Sequence, residues 1–154
     1  MKIFSHRGNI NGPNPDRENS PEYIDEAIAL GFFVEVDVRE IDGKLWLGHD
    51  EAKYPVSANW LGERRTKLLI HCKNLDACQI LSRSGFCLLV HTQDQFALIS
   101  SGDIWLHDLS HIPNSEYINP YIDCIIPLIT KEQLLLKDQY KSAAGICTDY
   151  PNEC

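Results

Sequence analysis

Short apolar runs alternate with helical patterns along the whole chain, and that alternation limits the folds open to it. Runs with β character occupy residues 2–5, 33–38, 45–48, 67–72, 86–91, 103–107, 123–128 and 145–148. Several of them are nearly continuous in apolar residues, as expected for strands covered on both faces. Helix signals fall between them. Ser20-Pro21 offers an N-cap followed by proline at the first helical position, and Gly31 offers a stop. Thr92-Gln93-Asp94-Gln95 and Thr130-Lys131-Glu132-Gln133 both fit a Thr-x-x-Gln capping box. A further helix is expected over 75–84, ended by Gly85. Between the third and fourth strands, and between the sixth and seventh, only loop or a short turn is expected.

Strands that alternate with helices belong to parallel α/β folds. Eight strand segments suggest a closed barrel, yet such barrels normally use about 250 residues. With 154 residues, several outer helices would have to be shortened or missing. An open doubly wound sheet fits the length better, and periodicity does not choose between the two. Either way the length indicates one domain, residues 1–154.

Charge narrows the partners. The formal net charge is −8, which repels polyphosphate and disfavours a nucleic-acid groove. No run approaches the roughly 20 apolar residues of a membrane span. The N-terminus turns polar at Ser5-His6, too early for the apolar stretch of a signal peptide. A cytoplasmic protein is the expectation. The six cysteines include no Cys-x-x-Cys pair, so a zinc ribbon is disfavoured. Cys72, Cys87, Cys124 and Cys147 lie in apolar runs and read as reduced core residues.

The polar residues carry the functional signal. Of six histidines, His6, His49, His71, His91 and His107 fall at or near the C-terminal end of an expected strand; His111 does not. That edge holds ligands and catalytic groups in barrels and open sheets alike. One histidine there is usually a surface or core residue; five on one rim imply clustering for function. Glu35-Val36-Asp37 places two carboxylates on one strand face. Their apolar neighbours argue against a solvated face, and two such charges repel unless a cation lies between them. Hard oxygen ligands suit Mg²⁺ or Ca²⁺. In His71-Cys72-Lys73 the same alternation puts His71 and Lys73 together, so Lys73 can balance charge or hold an anionic substrate. In His6-Arg7-Gly8 the arginine fork matches phosphate oxygens.

His6-Arg7-Gly8, Glu18-Asn19-Ser20, Glu35-Val36-Asp37, Asp42-Gly43 and Gly48-His49-Asp50 occur in that order, and the last strand segment runs on as Gly145-Ile146-Cys147-Thr148-Asp149-Tyr150-Pro151. Together they resemble the glycerophosphodiester phosphodiesterase family, within the wider phosphatidylinositol-phospholipase-C-like superfamily. The likeness covers residues 2–50 and 145–151, with the strand over 67–72 as a weaker anchor. It implies a compact (β/α)8 TIM-type barrel with several outer helices shortened or missing. It also implies a metal-dependent phosphodiester hydrolase. His6 and His49 would be the general acid/base pair, Glu35 and Asp37 metal-binding carboxylates, and Arg7 and Lys73 phosphate-contacting cations. Glu18 and Asn19 would support the His-Arg turn.

Two departures stand out. The family has Glu-x-Lys where this chain has His71-x-Lys73, so the third metal ligand becomes an imidazole. Mn²⁺ or Zn²⁺ then competes with Mg²⁺ or Ca²⁺. The family's insertion after His-Asp is replaced by the short stretch 51–65. The substrate is expected to be a small glycerophosphodiester or sugar phosphodiester. Two alternatives stand beside this reading: a phospholipase-D-like lyase, and a catalytically silent module binding a phosphate ligand or a protein. A barrel lacking outer helices exposes apolar strand faces that a second copy would cover, and a homodimer is expected on that ground alone.

Overall fold

The computed structural model of the chain describes residues 1–91, 94–107 and 123–154. Among the described residues ten strands form one sheet: β1 (Lys2–His6), β2 (Phe33–Ile41), β3 (Lys44–Leu47), β4 (Tyr54–Val56), β5 (Leu68–Cys72), β6 (Cys87–Leu89), β7 (Phe96–Leu98), β8 (Ile104–Leu106), β9 (Cys124–Pro127) and β10 (Gly145–Thr148). The described residues hold four short α-helices: α1 (Pro21–Ala29), α2 (Ala58–Glu63), α3 (Leu75–Leu81) and α4 (Lys131–Leu134).

The sheet is a curled half-barrel of mixed direction, and the expected (β/α)8 TIM-type barrel is not formed. Parallel pairing runs through β6, β5, β2, β1, β10, β9 and β8. The hairpin β3–β4 and the strand β7 run antiparallel to their neighbours. The reason lies in the connections. Parallel neighbours need a crossover of roughly a dozen residues or more. Only residues 99–103 separate β7 from β8, so β7 must turn back on β8. Asp42 and Gly43 alone separate β2 from β3, with φ of 51° and 76°, the paired positive values of a tight hairpin turn. One antiparallel bridge, Leu89 to Ile99, joins the residue after β7 to the edge of β6.

Local signals explain the elements that agree with the sequence. Ser20 Oγ accepts from Tyr23 N at the start of α1, and Tyr23, Ile24 and Ala27 bury its inner face. Asn74 Oδ1 accepts from Ala77 N and caps α3, which ends at Leu81, short of Ser84. The Thr130–Gln133 capping box forms in full and starts α4. The second such box does not lead into a helix: the chain after it forms β7, and Thr92 and Gln93 lie outside the described residues. Likewise β4 and α2 occupy a stretch expected as loop. Residues 108–122, including His111 and the connection before β9, lie outside the described residues.

Side-chain alternation sorts β2 into two layers. Val34, Val36 and Val38 face outward into a core shared with α1 and α3, together with Ile24, Ala27, Leu68, Ile70, Cys72 and Leu81. The inner face of the curl holds Phe4, Leu69, Leu89, Trp105, Ile125 and Cys147. Glu35 and Asp37 share that inner face, which places two acids inside the curl. None of the six cysteines forms a disulfide among the described residues; Cys72, Cys124 and Cys147 are buried, while Cys87 is partly buried. No described helix is long and apolar enough to cross a membrane.

Candidate functional site

The site begins at the turn that ends β1. Arg7 adopts φ 55° and Gly8 φ 88°, the left-handed region that reverses the chain. A Cβ on Gly8 would meet the backbone of Tyr23 and Ile24 in α1 at 3.3 Å, so glycine lets helix and turn pack this closely. Backbone bonds tie the turn to its neighbours: Arg7 N–H donates to Glu35 O, and Asn19 N–H donates to Arg7 O, each at 2.9 Å. Asn9 Nδ2 donates to Asp149 Oδ1 at 2.8 Å and to Glu18 Oε1 at 2.9 Å. Glu18 and Asn19 therefore do support the turn, and Asn19 does more. Its Oδ1 accepts from Asp37 N–H and its Nδ2 donates to Asp37 Oδ2, both at 2.9 Å.

Glu35 and Asp37 are 3% and 0% exposed. Parallel register sets Asp37 directly beside His71 of β5. His71 Nδ1 lies 3.1 Å from Asp37 Oδ1 and 3.7 Å from Glu35 Oε1. One ligand atom from each of the three residues falls within 4.8 Å of the others, so the group could hold a metal ion. Glu35 Oε2 is buried and accepts no hydrogen bond among the described residues. An orphaned carboxylate oxygen in such a place fits a cation. Burial pushes Glu35 upward, and the charge of Asp37 adds to that shift. Asp37 goes the other way. Burial opposes its charge, but the bond from His71, the charge of Arg7 and the bond from Asn19 hold it well below the usual carboxylate range.

The two cations expected at phosphate are both drawn to these acids. Arg7 Nε lies 3.1 Å from Asp37 Oδ2, and Arg7 Nη1 donates to Glu18 Oε2 at 3.2 Å. Lys73 Nζ lies 3.6 Å from Asp37 Oδ1. Charge neutralisation is thus built in.

His6 Nδ1 pairs with Asp149 Oδ1 at 2.8 Å, and its Nε2 lies 4.0 Å from Glu35 Oε2. Burial pulls His6 down, but the Asp149 bond and the Glu35 charge outweigh it and its pKa is raised. His49 Nδ1 pairs with Asp50 Oδ1 at 2.7 Å. Arg39 shapes the His49 loop, donating from Nη1 to Asp50 O at 3.1 Å and from Nη2 to Gly48 O at 3.1 Å and to His49 O. Gly48 sits at φ 142°, and a Cβ there would lie 2.1 Å from Glu51 O.

All five rim histidines line one pocket of ≈ 260 Å³, together with Arg7, Glu35, Trp105, Pro127, Ile129 and Gln133. Arg7 and His49 also line a neighbouring pocket of ≈ 390 Å³ with Glu18, Asp50 and Lys53. Lys73 is not among the residues lining either one. Sequence reasoning gave no role to Asp149, Asn9 or Arg39. Asp149 lies directly after β10, whose register with β1 is parallel, and a carboxylate at that strand end is the signal that could have found it.

Comparison of the chain with models of known protein families finds no match, and no curated protein matches its sequence.

Proposed function

We propose that this chain is a metal-dependent phosphodiester hydrolase related to the glycerophosphodiester phosphodiesterase family. Its substrate is a small glycerophosphodiester or sugar phosphodiester. The observation that carries the reading is the meeting of His6 and His49, from separate segments, with Arg7, Glu35 and His71 around one pocket.

Glu35, Asp37 and His71 would hold the ion. Their oxygens suit Mg²⁺ or Ca²⁺, and the imidazole moves the preference toward Mn²⁺ or Zn²⁺. Such an ion, when bound, supplies positive charge to the phosphoryl oxygens as negative charge grows on them. The chain's own residues do the rest. Arg7 offers its guanidinium at the pocket wall, where it orients a phosphate and shares its charge. His49 is half exposed, and its Nδ1 is engaged by Asp50, which leaves Nε2 to take a proton from an attacking water. His6 is more enclosed, and its Nδ1 is engaged by Asp149. Its Nε2 gives a proton to the departing alkoxide. One P–O bond forms as the other breaks, and one proton is taken up at His49 as one is released from His6.

The test is turnover of a panel of glycerophosphodiesters and an aryl phosphodiester with Mg²⁺, Mn²⁺, Ca²⁺ or Zn²⁺, and with chelator. Metal-dependent turnover is expected, falling about 10²–10⁴-fold in His6→Ala and in His49→Ala. Turnover that survives either substitution, or chelation, refutes the scheme. Phosphate-ligand binding with no turnover under any condition would make the chain a binding module instead.

A further inference from the structure

His71 differs from the other two members of the metal-binding group because its side chain has a ring plane to be set. The last torsion of a histidine is broad and roughly two-fold. The bond from Nδ1 to Asp37 sets where that nitrogen points, but it leaves the ring free to tilt about the N···O line. Something else must define the plane.

Three imidazoles and an indole form a row across the inner face of the curl. The rings of His71 and His91 stack with centroids 4.3 Å apart and planes 19° apart. The rings of His91 and His107 meet edge to face at 3.9 Å and 60°. Trp105 Nε1 donates to His107 Nδ1 at 3.2 Å. Trp105 is only 6% exposed and is packed in the inner core with Leu69 and Leu89, so the row ends on a rigid anchor. An indole nitrogen can only donate. His107 Nδ1 must therefore accept, and the neutral ring carries its proton on Nε2. That bond holds His107, which packs against His91, whose ring stacks on His71. The row is not a metal site in its own right: among the described residues, only Glu35, Asp37 and His71 bring three ligand atoms together.

We propose that His91, backed by His107 and Trp105, is a positioning residue that fixes the ring plane of His71 so that Nδ1 faces Asp37 and Glu35. The row thereby makes an imidazole serve as the third metal ligand. The ligand half of this proposal rests on the metal-dependent reading above; the ring-positioning half does not. Stacking needs a flat ring rather than a nitrogen, so phenylalanine is the conservative replacement for His91 and alanine the disruptive one.

The experiment has two readouts on the full chain. In metal-free protein labelled with ¹⁵N-histidine, the His71 ring-nitrogen shifts are recorded for wild type, His91→Phe and His91→Ala. His91→Phe is expected to keep the wild-type His71 signals and His91→Ala to move them toward motionally averaged values. Mn²⁺ affinity is then measured calorimetrically. His91→Ala is expected to weaken it about 10–100-fold, the usual cost of losing an outer-shell partner, with His91→Phe close to wild type. Unchanged His71 signals and Mn²⁺ affinity in His91→Ala would overturn the positioning role. Damage in His91→Phe equal to that in His91→Ala would overturn the stacking argument. Failure of the wild type to bind Mn²⁺, with His71 still responding to His91→Ala, would overturn the metal reading alone.

Discussion

Replacing Asn19 tests whether the site is organised as described, and it does so without assuming any activity. Asn19 is 1% exposed and sits at φ 61°. Its side chain makes two bonds to one residue, accepting from the Asp37 backbone and donating to the Asp37 carboxylate. A neutral buried hydrogen bond contributes about 1 kcal/mol, and one to an ionised acceptor about 1.5–3 kcal/mol. Alanine in the left-handed region adds about 1–2 kcal/mol of strain that asparagine tolerates better. Asn19→Ala is therefore expected to cost about 3.5–6 kcal/mol, a large share of the 5–15 kcal/mol typical of a domain. Asn19→Gly loses the same two bonds without the strain, but glycine returns about 0.5–1 kcal/mol through its freer unfolded chain. It should end about 0–1.5 kcal/mol more stable than Asn19→Ala. Urea unfolding followed by far-ultraviolet circular dichroism, in metal-free buffer at neutral pH, measures both. A loss below about 1 kcal/mol in Asn19→Ala would show that the Asp37 bonds are replaced by solvent. A glycine variant weaker than the alanine variant would refute the backbone argument.

Three further outcomes follow from the same geometry. Gly48→Ala places a Cβ against Glu51 O and should displace the His49 loop, lowering kcat/KM about 10²-fold on whichever phosphodiester turns over; unchanged kinetics would separate that loop from the chemistry. The raised pKa of His6 gives a contribution to stability that is full below the ordinary imidazole value and is lost as pH rises through the folded one. Asp149→Asn should therefore flatten the decline in the urea midpoint between pH 5 and 9 in proportion to the lost bond. Because the pKa of Asp37 is lowered, its own contribution is present above the ordinary carboxylate value and is lost only as pH falls through the folded one, well clear of that window. Glu35→Gln should cost little stability in metal-free buffer, since burial and the Asp37 charge already disfavour the ionised form. The wild type should gain about 2.7 kcal/mol at a Mn²⁺ concentration of a hundred times Kd, and thermal unfolding should show no such gain in Glu35→Gln.

Much of the site was legible because it depends on local geometry. Two-residue alternation puts Glu35 and Asp37 on one face of any strand that contains them, whatever the sheet around it does. The same rule sent Val34, Val36 and Val38 to the other side. Cap chemistry located α1 and α4, because Ser20 and Thr130 bond to backbone groups three residues away. The capping-box pattern before β7 misled for the same reason: a cap rewards a helix start, but the outer-layer packing that sustains a helix is a tertiary matter.

Local pattern therefore reaches the inventory: eight of the ten described strands, the paired acids on one face, and five histidines at or near strand ends. Adjacency is settled by the whole fold. That β7 reverses and the sheet curls without becoming a barrel depends on which edges can be reached through short connections. That Asp149 holds His6 follows from the parallel pairing of β1 with β10. That His71, His91 and His107 form a row ending on Trp105 depends on β5, β6 and β8 converging on one inner face. The physical reason is one of range. Periodicity and caps are set by torsions and neighbours within a few residues, whereas a contact between distant segments exists only once loop closure and core burial have chosen a single arrangement for the whole chain.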